Sequence, residues 1–273
     1  MVFLFRLLGR IPLRLLHPLG ACAAWLTYVL SPTYRRHLGE NIRQAGFDDR
    51  VRRKAIGEAG KQMLEILRIW SLPLDKAIAQ VVEVRGWEYV EAAQRAGKGI
   101  LFLTPHLGCF EITAQYYSAF GDIAVLYRPP KRAFIQKMIL DGRKRDKLHL
   151  APADVSGVRA LIKALKRGQA VGMLPDQAPK EGEGAWVKFF GRYAYTMTLA
   201  ARLSETGATT LMAWGERLPG GRGYCLHFGP PRAAFAGKTL ERAQQINDEI
   251  EVLIRACPAQ YLWGYNRYKR PRG

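Results

Sequence analysis

The chain is short of acid, of paired cysteines and of any long uninterrupted apolar run. Only 23 Asp and Glu stand against 42 Lys and Arg in 273 residues, which leaves a formal charge of +19 and a pI near 10.1. Such an excess predicts attraction to polyanions, and nucleic acid, an anionic membrane surface and an acidic carrier protein all qualify. Cys22, Cys109, Cys225 and Cys257 lie far apart, with no Cys-x-x-Cys pair and no histidine at the usual ligand spacing. Neither a disulfide framework, a metal site nor a cofactor is therefore expected, and a reducing cytoplasmic compartment is the default. No Gly-x-Ser-x-Gly elbow and no plausible Cys–His pair is present, which argues against a covalent enzyme intermediate. Internal repeats and low-complexity linkers are also missing, so no second catalytic domain is expected. What remains, a hydrophobic fraction of 48%, is that of a chain able to bury a substantial core.

The N-terminus is the most apolar segment. Arg6, Arg10 and Arg14 are spaced by four and fall on one helical face, and Pro18 to Leu30 then runs without charge and includes Trp25 and Tyr28. That is how an interfacial membrane helix is written. The uncharged run falls short of the ~20 residues a comfortable transmembrane span needs. Arginines flank it on both sides, with Arg35 and Arg36 following, so no orientation is specified. Residues 1–30 are read as a membrane-associating helix and 31–273 as the catalytic domain. Leu19-Gly-Ala-Cys22 has the outline of a lipoprotein processing box, but Pro12, Arg14, His17 and Pro18 interrupt the stretch before it, and no cleavage is expected.

Beyond Ser31-Pro32, hydrophobic spacing predicts helices over Tyr34–Gly46, Asp48–Trp70, Glu88–Ala96, Phe110–Phe120, Lys131–Lys147, Ser156–Lys166, Thr196–Glu205 and Leu240–Ala256. Between them lie short apolar runs at Val81–Arg85, Gly99–Thr104, Ile123–Tyr127, His149–Ala151, Ala170–Leu174, Thr209–Trp214 and Gly223–Phe228. Strands alternating with helices imply βαβ units, and hence an α/β fold with a mixed, largely parallel sheet flanked by helices. In such folds functional groups collect at the carboxyl ends of the strands. His106, Arg128 and Asp176 each directly follow such an end.

His106 and Glu111 are five apart and would sit about 140° from each other on a continuous helix. They can meet if His106 lies in a turn and Glu111 in the first turn of the helix after it. Pro105 stops the strand and Gly108 permits the tight path. A carboxylate at one imidazole nitrogen fixes the tautomer and strengthens the other nitrogen as a base, which suits removal of a proton from an attacking alcohol. A bare His-x-x-x-x-Glu arises often by chance, and its placement at a strand end is what makes it a candidate site. Arg128 would bind a phosphate or polarise a carbonyl, and Asp176 would hold Arg128 or orient its loop.

Five ordered segments carry a family resemblance: Leu103-Thr-Pro-His-Leu-Gly-Cys-Phe-Glu111, Tyr127-Arg-Pro129, Leu174-Pro-Asp-Gln177, Val187-x-Phe-Phe-Gly191, and Gln260-Tyr-Leu-Trp263 through Lys269. Together they resemble the late acyltransferases of lipid A biosynthesis, the lauroyl/myristoyl transferase group, over nearly the whole chain. The resemblance implies a glycerol-3-phosphate acyltransferase-like fold. It also implies transfer of a fatty acyl chain from acyl carrier protein to a hydroxyl of a Kdo-bearing lipid A precursor, at the cytoplasmic face of the bacterial inner membrane among its phospholipids. The implied catalytic residues are His106 and Glu111, with Arg128 and Asp176 as substrate-binding positions. Cys109-Phe110 and Tyr265-Asn266 depart from commoner forms, which bears on acceptor and chain length. Two alternatives stay open at this stage: an acyltransferase acting on another phospholipid or glycolipid, and a non-enzymatic basic nucleic-acid-binding protein. The latter finds no recognisable module in the sequence.

Overall fold

In the computed structural model, residues 9–130 and 132–271 are described. The expectations placed on Met1 to Leu8, including Arg6, and on Lys131 lie outside those residues. The apolar N-terminal segment is helix α1 (Leu13–Leu30), followed by α2 (Pro32–Gln44) and the long α3 (Asp49–Ser71). Ser31 caps α2 with Pro32 in its first turn, and Asp48 caps α3 by accepting from the N–H groups of Arg50 and Val51 at 3.0 Å each. A short α4 (Leu74–Ile78) leads to β1 (Val81–Arg85) and α5 (Trp87–Ala96).

The site-bearing part then alternates as expected: β2 (Ile100–Leu103), α6 (Phe110–Tyr117), β3 (Ile123–Tyr127), α7 (Ala133–Arg143), β4 (Leu148–Pro152), α8 (Val155–Lys166) and β5 (Ala170–Met173). A hairpin follows, β6 (Gly184–Phe189) and β7 (Arg192–Met197), and then α9 (Leu199–Ser204), β8 (Thr209–Arg217), β9 (Tyr224–Gly229) and α10 (Thr239–Ala256). Seven strands form one sheet in the order β1-β9-β8-β2-β5-β3-β4, in which only the β8–β9 pairing is antiparallel. The mixed, largely parallel sheet read from the sequence is thus present.

Alternation along the strands divides the core. Ile100 and Phe102 of β2 point into one cluster with Leu16 of α1, Ile69 of α3, Val90 of α5 and Ile112 of α6. Leu101 and Leu103 point into the other with Leu161 of α8, Ala200 of α9 and Ile250 of α10. Both faces of the sheet are covered, which is why its strands read as continuous apolar runs.

Two boundaries differ from the sequence reading. The helix expected from Thr196 begins only at Leu199, because Arg192–Met197 pairs with Gly184–Phe189 around the two-residue turn Phe190-Gly191, with φ of 47° and 77°. The helix expected to reach Lys147 stops at Arg143, since Arg145 turns its guanidinium back to the carbonyl of Leu72 at 3.0 Å.

Helix α1 does not stand apart from the domain. It crosses α3 where Gly20 meets Gly60, so closely that a Cβ on Gly60 would lie 1.9 Å from the Gly20 carbonyl oxygen. Only glycine permits that approach. The opposite face of α1 leaves Leu15, Leu19, Leu26, Val29 and Leu30 exposed. It is the one helix among the described residues that is long and apolar enough to cross a membrane.

Candidate active site

Strand β2 ends by donating the Thr104 N–H to the Met173 carbonyl at 2.9 Å, after which Pro105 breaks the ladder. His106 to Cys109 form the turn into α6. This turn is pinned on three sides. The Gly108 N–H donates to the Gln260 carbonyl at 3.0 Å, and the Cys109 N–H to the Gly215 carbonyl at 2.7 Å. The Gly108 carbonyl accepts from Gln62 Nε2 at 2.8 Å, and the His106 carbonyl from the Leu262 N–H at 3.1 Å. Gly108 has a φ of 58°, and a Cβ there would lie 2.0 Å from the Gly215 carbonyl oxygen. The glycine is required both by conformation and by close approach.

The imidazole of His106 is held by Asp176 and not by Glu111. His106 Nδ1 lies 2.8 Å from Asp176 Oδ1, and the His106 backbone N–H donates to Oδ2 at 2.9 Å. Strand β5 is the hydrogen-bonded neighbour of β2, so the residue just beyond its carboxyl end reaches sideways to the residue just beyond that of β2. Burial, the largest influence on Asp176, pushes its carboxyl up. The charge and hydrogen bonds of His106 outweigh this and hold it below its usual value. A carboxylate at Nδ1 makes that nitrogen the proton carrier and leaves Nε2 as the acceptor. The amide of Gln177 sits 3.1 Å from Nε2. Phe110 packs against the ring edge-on with centroids 4.8 Å apart.

Glu111 is buried in the first turn of α6, where it meets Arg143 at the end of α7. Arg143 Nε donates to Oε1 at 2.8 Å and its Nη2 to Oε2 at 2.6 Å, a two-pronged pair. Burial opposes the charge on Arg143, but Glu111 holds its pKa above the ordinary value. Asp176, expected to touch substrate or grip Arg128, lies beneath the imidazole with only 1% of its surface exposed. Arg128 is half exposed at the mouth, with Glu183 3.8 Å away as its loose partner.

His106 lines a cleft of about 340 Å³ together with Phe110, Arg128, Arg143, Gln177, Tyr265 and Lys269. Its lining includes the cations Arg128, Arg143 and Lys269 and no carboxylate. Phe110, Arg143 and Leu174 are shared with a narrower apolar crevice that runs between α6 and the sheet, past Phe102, Ile123, Val125, Met173 and Phe228. Gln62 carries no signal in the sequence, and the contacts of Arg143, Gln177 and Gln260 are not legible there. Gln177 and Gln260 lie in family-like segments, whereas Arg143 is one of several basic residues between Lys131 and Lys147, and nothing linear sets it apart from the others.

A strand-end histidine oriented by a buried acid thus lines a cleft that carries cationic side chains and adjoins an apolar crevice, the arrangement of an enzyme site. Residues 1–270 match the family described as bacterial lipid A biosynthesis acyltransferase, and the chain belongs to that family as an O-acyltransferase. It is 30% identical over 226 residues to the lipid A biosynthesis lauroyltransferase of Escherichia coli (strain K12), covering 81% of this chain and 72% of that one. With the palmitoleoyltransferase of the same organism it shares 27% over 219 residues, 78% and 70% of the two chains. With its myristoyltransferase it shares 23% over 187 residues, 67% and 57%.

Proposed function

We propose that this enzyme moves a fatty acyl chain from an acyl carrier protein thioester to a hydroxyl of a Kdo-bearing lipid A precursor, at the cytoplasmic face of the bacterial inner membrane. The observation that carries the reading is His106 itself: Nδ1 is engaged by Asp176, Nε2 meets only the neutral amide of Gln177, and the residue lines a cleft together with Arg128, Arg143 and Lys269. In this mechanism Nε2 takes the proton of the acceptor hydroxyl as its oxygen attacks the thioester carbonyl carbon. The tetrahedral intermediate then collapses, the C–S bond breaks, and the imidazolium returns its proton to the departing thiolate. Asp176 stabilises the imidazolium between the two steps. The Gln177 amide holds the place of the acceptor hydroxyl and swings aside when it binds.

Glu111 contributes through Arg143, fixing a guanidinium at the boundary between the cleft and the apolar crevice. There it faces the developing oxyanion or an acceptor phosphate. The crevice, about 30 Å³ as it stands, opens to take the acyl chain, and Arg128 and Lys269 meet phosphates or the acidic carrier. The exposed face of α1 rests in the membrane surface. A helix packed backbone to backbone on the charged α3 lies in one leaflet more readily than it spans two.

The test is transfer in vitro from a panel of acyl carrier protein thioesters to purified lipid A precursor, alongside a glycerol phosphate acceptor. His106→Ala should lower turnover by ~10²–10⁴ while vesicle binding is kept. Full turnover in that variant, or preference for the glycerol phosphate, would overturn the assignment.

A further inference from the structure

Acyl transfer leaves unused a second cluster of reactive side chains, on the face of the sheet at its β8–β9–β1 end. Strand pairing builds it. In the antiparallel β8–β9 pair, Glu216 stands opposite Cys225 and Trp214 opposite His227, and on the other side Glu83 of β1 is the partner of Cys225. Residues two apart on a strand share a face, so Cys225 and His227 point the same way. Glu83, Glu216, Cys225 and His227, with Trp214 beside His227, therefore form one patch drawn from three strands.

The geometry within the patch is tight. His227 Nε2 lies 3.0 Å from Glu216 Oε2, and the ligand atoms of Glu216, Cys225 and His227 all lie within 4.8 Å of one another. The His227 ring is fixed by flat stacking on Trp214, with centroids 4.3 Å apart and planes 7° from parallel. Cys225 is fully buried and forms the floor. The Glu216 and His227 side chains above it keep 31% and 21% of their surface, which leaves a way in from solvent. Glu83, the register partner of Cys225 on β1, is tied to Arg85 at 2.6 Å.

One thiolate, one imidazole and one carboxylate are a donor set for zinc. Hard ions such as magnesium and calcium take oxygen ligands instead. Bonds of about 2.0–2.3 Å in a tetrahedron place ligand atoms roughly 3.3–3.6 Å apart, so small side-chain rotations close the observed spacing onto an ion. A cross-strand ion pair explains His227 and Glu216, but it gives no reason for a thiol directly beneath them. We propose that Cys225, His227 and Glu216 bind a zinc ion that staples β8 to β9, with Glu83 or water completing the coordination. Glu216 directly follows Gly215, whose carbonyl receives the Cys109 N–H, so the staple stiffens the strand against which the His106 turn is braced. Cys225 and His227 are two apart in the chain, but Glu216 joins them only through the sheet.

Cobalt(II) reports on this site without reference to activity. The chelator-treated full chain, titrated with cobalt, should develop a thiolate-to-metal charge-transfer band that saturates at one ion per chain and disappears when zinc is added. Cys225→Ser should abolish the band and Cys257→Ser should leave it intact. Because Cys225 is buried, His227→Gln on the solvent side gives a second reading: it should weaken cobalt binding at least about tenfold with an unchanged circular dichroism spectrum. The absence of a saturable one-to-one band, or a band that survives either Cys225→Ser or His227→Gln undiminished, would overturn the site.

Discussion

Two groups of buried charge lie on either side of the turn that carries His106, and they are built to different ends. Behind the turn, Arg217 is enclosed by Glu65 and Glu58. Its Nε donates to Glu65 Oε2 at 2.8 Å, and Tyr224 donates its hydroxyl to the same carboxylate at 3.3 Å. His17 of α1 closes the group 3.3 Å from Glu65. In front of the turn, His106 meets the Asp176 carboxylate through Nδ1 and the neutral Gln177 amide, 3.1 Å away, through Nε2, at the wall of the cleft. The rear cluster turns its charges on one another and fixes how α1, α3 and β8 fit together. The front cluster closes its outer side with a neutral amide, which in the proposed mechanism an arriving hydroxyl replaces. The rear cluster is sealed, with Arg217 and Glu65 side chains 2% and 0% exposed, whereas the His106 side chain keeps 17% of its surface at the cleft wall.

Breaking the front side should produce the largest effect. Asp176→Asn keeps the shape but removes the charge that stabilises the imidazolium, and turnover should fall by about 10³-fold with little change in KM or thermal midpoint. Glu111→Gln should cost less in kcat, since it loosens Arg143 without touching the imidazole. Steady-state kinetics of the two variants side by side decide this. A larger loss in Glu111→Gln would mean that Glu111 replaces Asp176 at the imidazole during turnover.

On the rear side the effect should be on stability. Arg217→Met leaves Glu65 buried without its main partner, and denaturant unfolding should show a loss of roughly 3–5 kcal/mol. Glu65→Gln combined with Arg217→Met should recover part of it, because no lone charge is then left inside. Activity per folded molecule in the double variant should stay closer to that of the parent than in Asp176→Asn.

The smallest effect sharpens the comparison through pH. Burial pushes the Glu65 carboxyl up, but Arg217 and His17 outweigh it, and its pKa lies below the ordinary 4.5. A carboxylate depressed by folding stabilises the protein above its unfolded pKa and loses that contribution as pH falls through the folded one. Glu65→Gln should therefore make urea midpoints less steeply dependent on pH below about 4.5, at the cost of lower stability near neutrality. An unchanged acid limb would mean that the rear cluster carries no linkage.

Much of the fold was legible in the chain because its signals are local. Short apolar runs closed by Pro105, Pro129 and Pro175 marked strands whose carboxyl ends gather the site, and helical spacing marked the layers above and below. The hairpin of β6 and β7 was partly missed, since its turn places Phe190 at a positive φ that residue type does not announce. Both carboxylates of the site were named from the sequence. Their partners were not, because Glu111 was matched to the histidine nearest in number whereas the sheet puts Asp176 there.

By itself the sequence determined the α/β layering, the strand-end position of His106, Arg128 and Asp176, the apolar helix at the N-terminus and the family. Each of these depends on residue type and short-range spacing, which the chain carries openly. Only the tertiary structure decided which acid holds the imidazole, that Arg143 answers Glu111, that α1 packs glycine to glycine on α3, and that Glu216, Cys225 and His227 converge. Those are contacts between residues joined through strand order and helix crossing, and distance along a chain holds no measure of either.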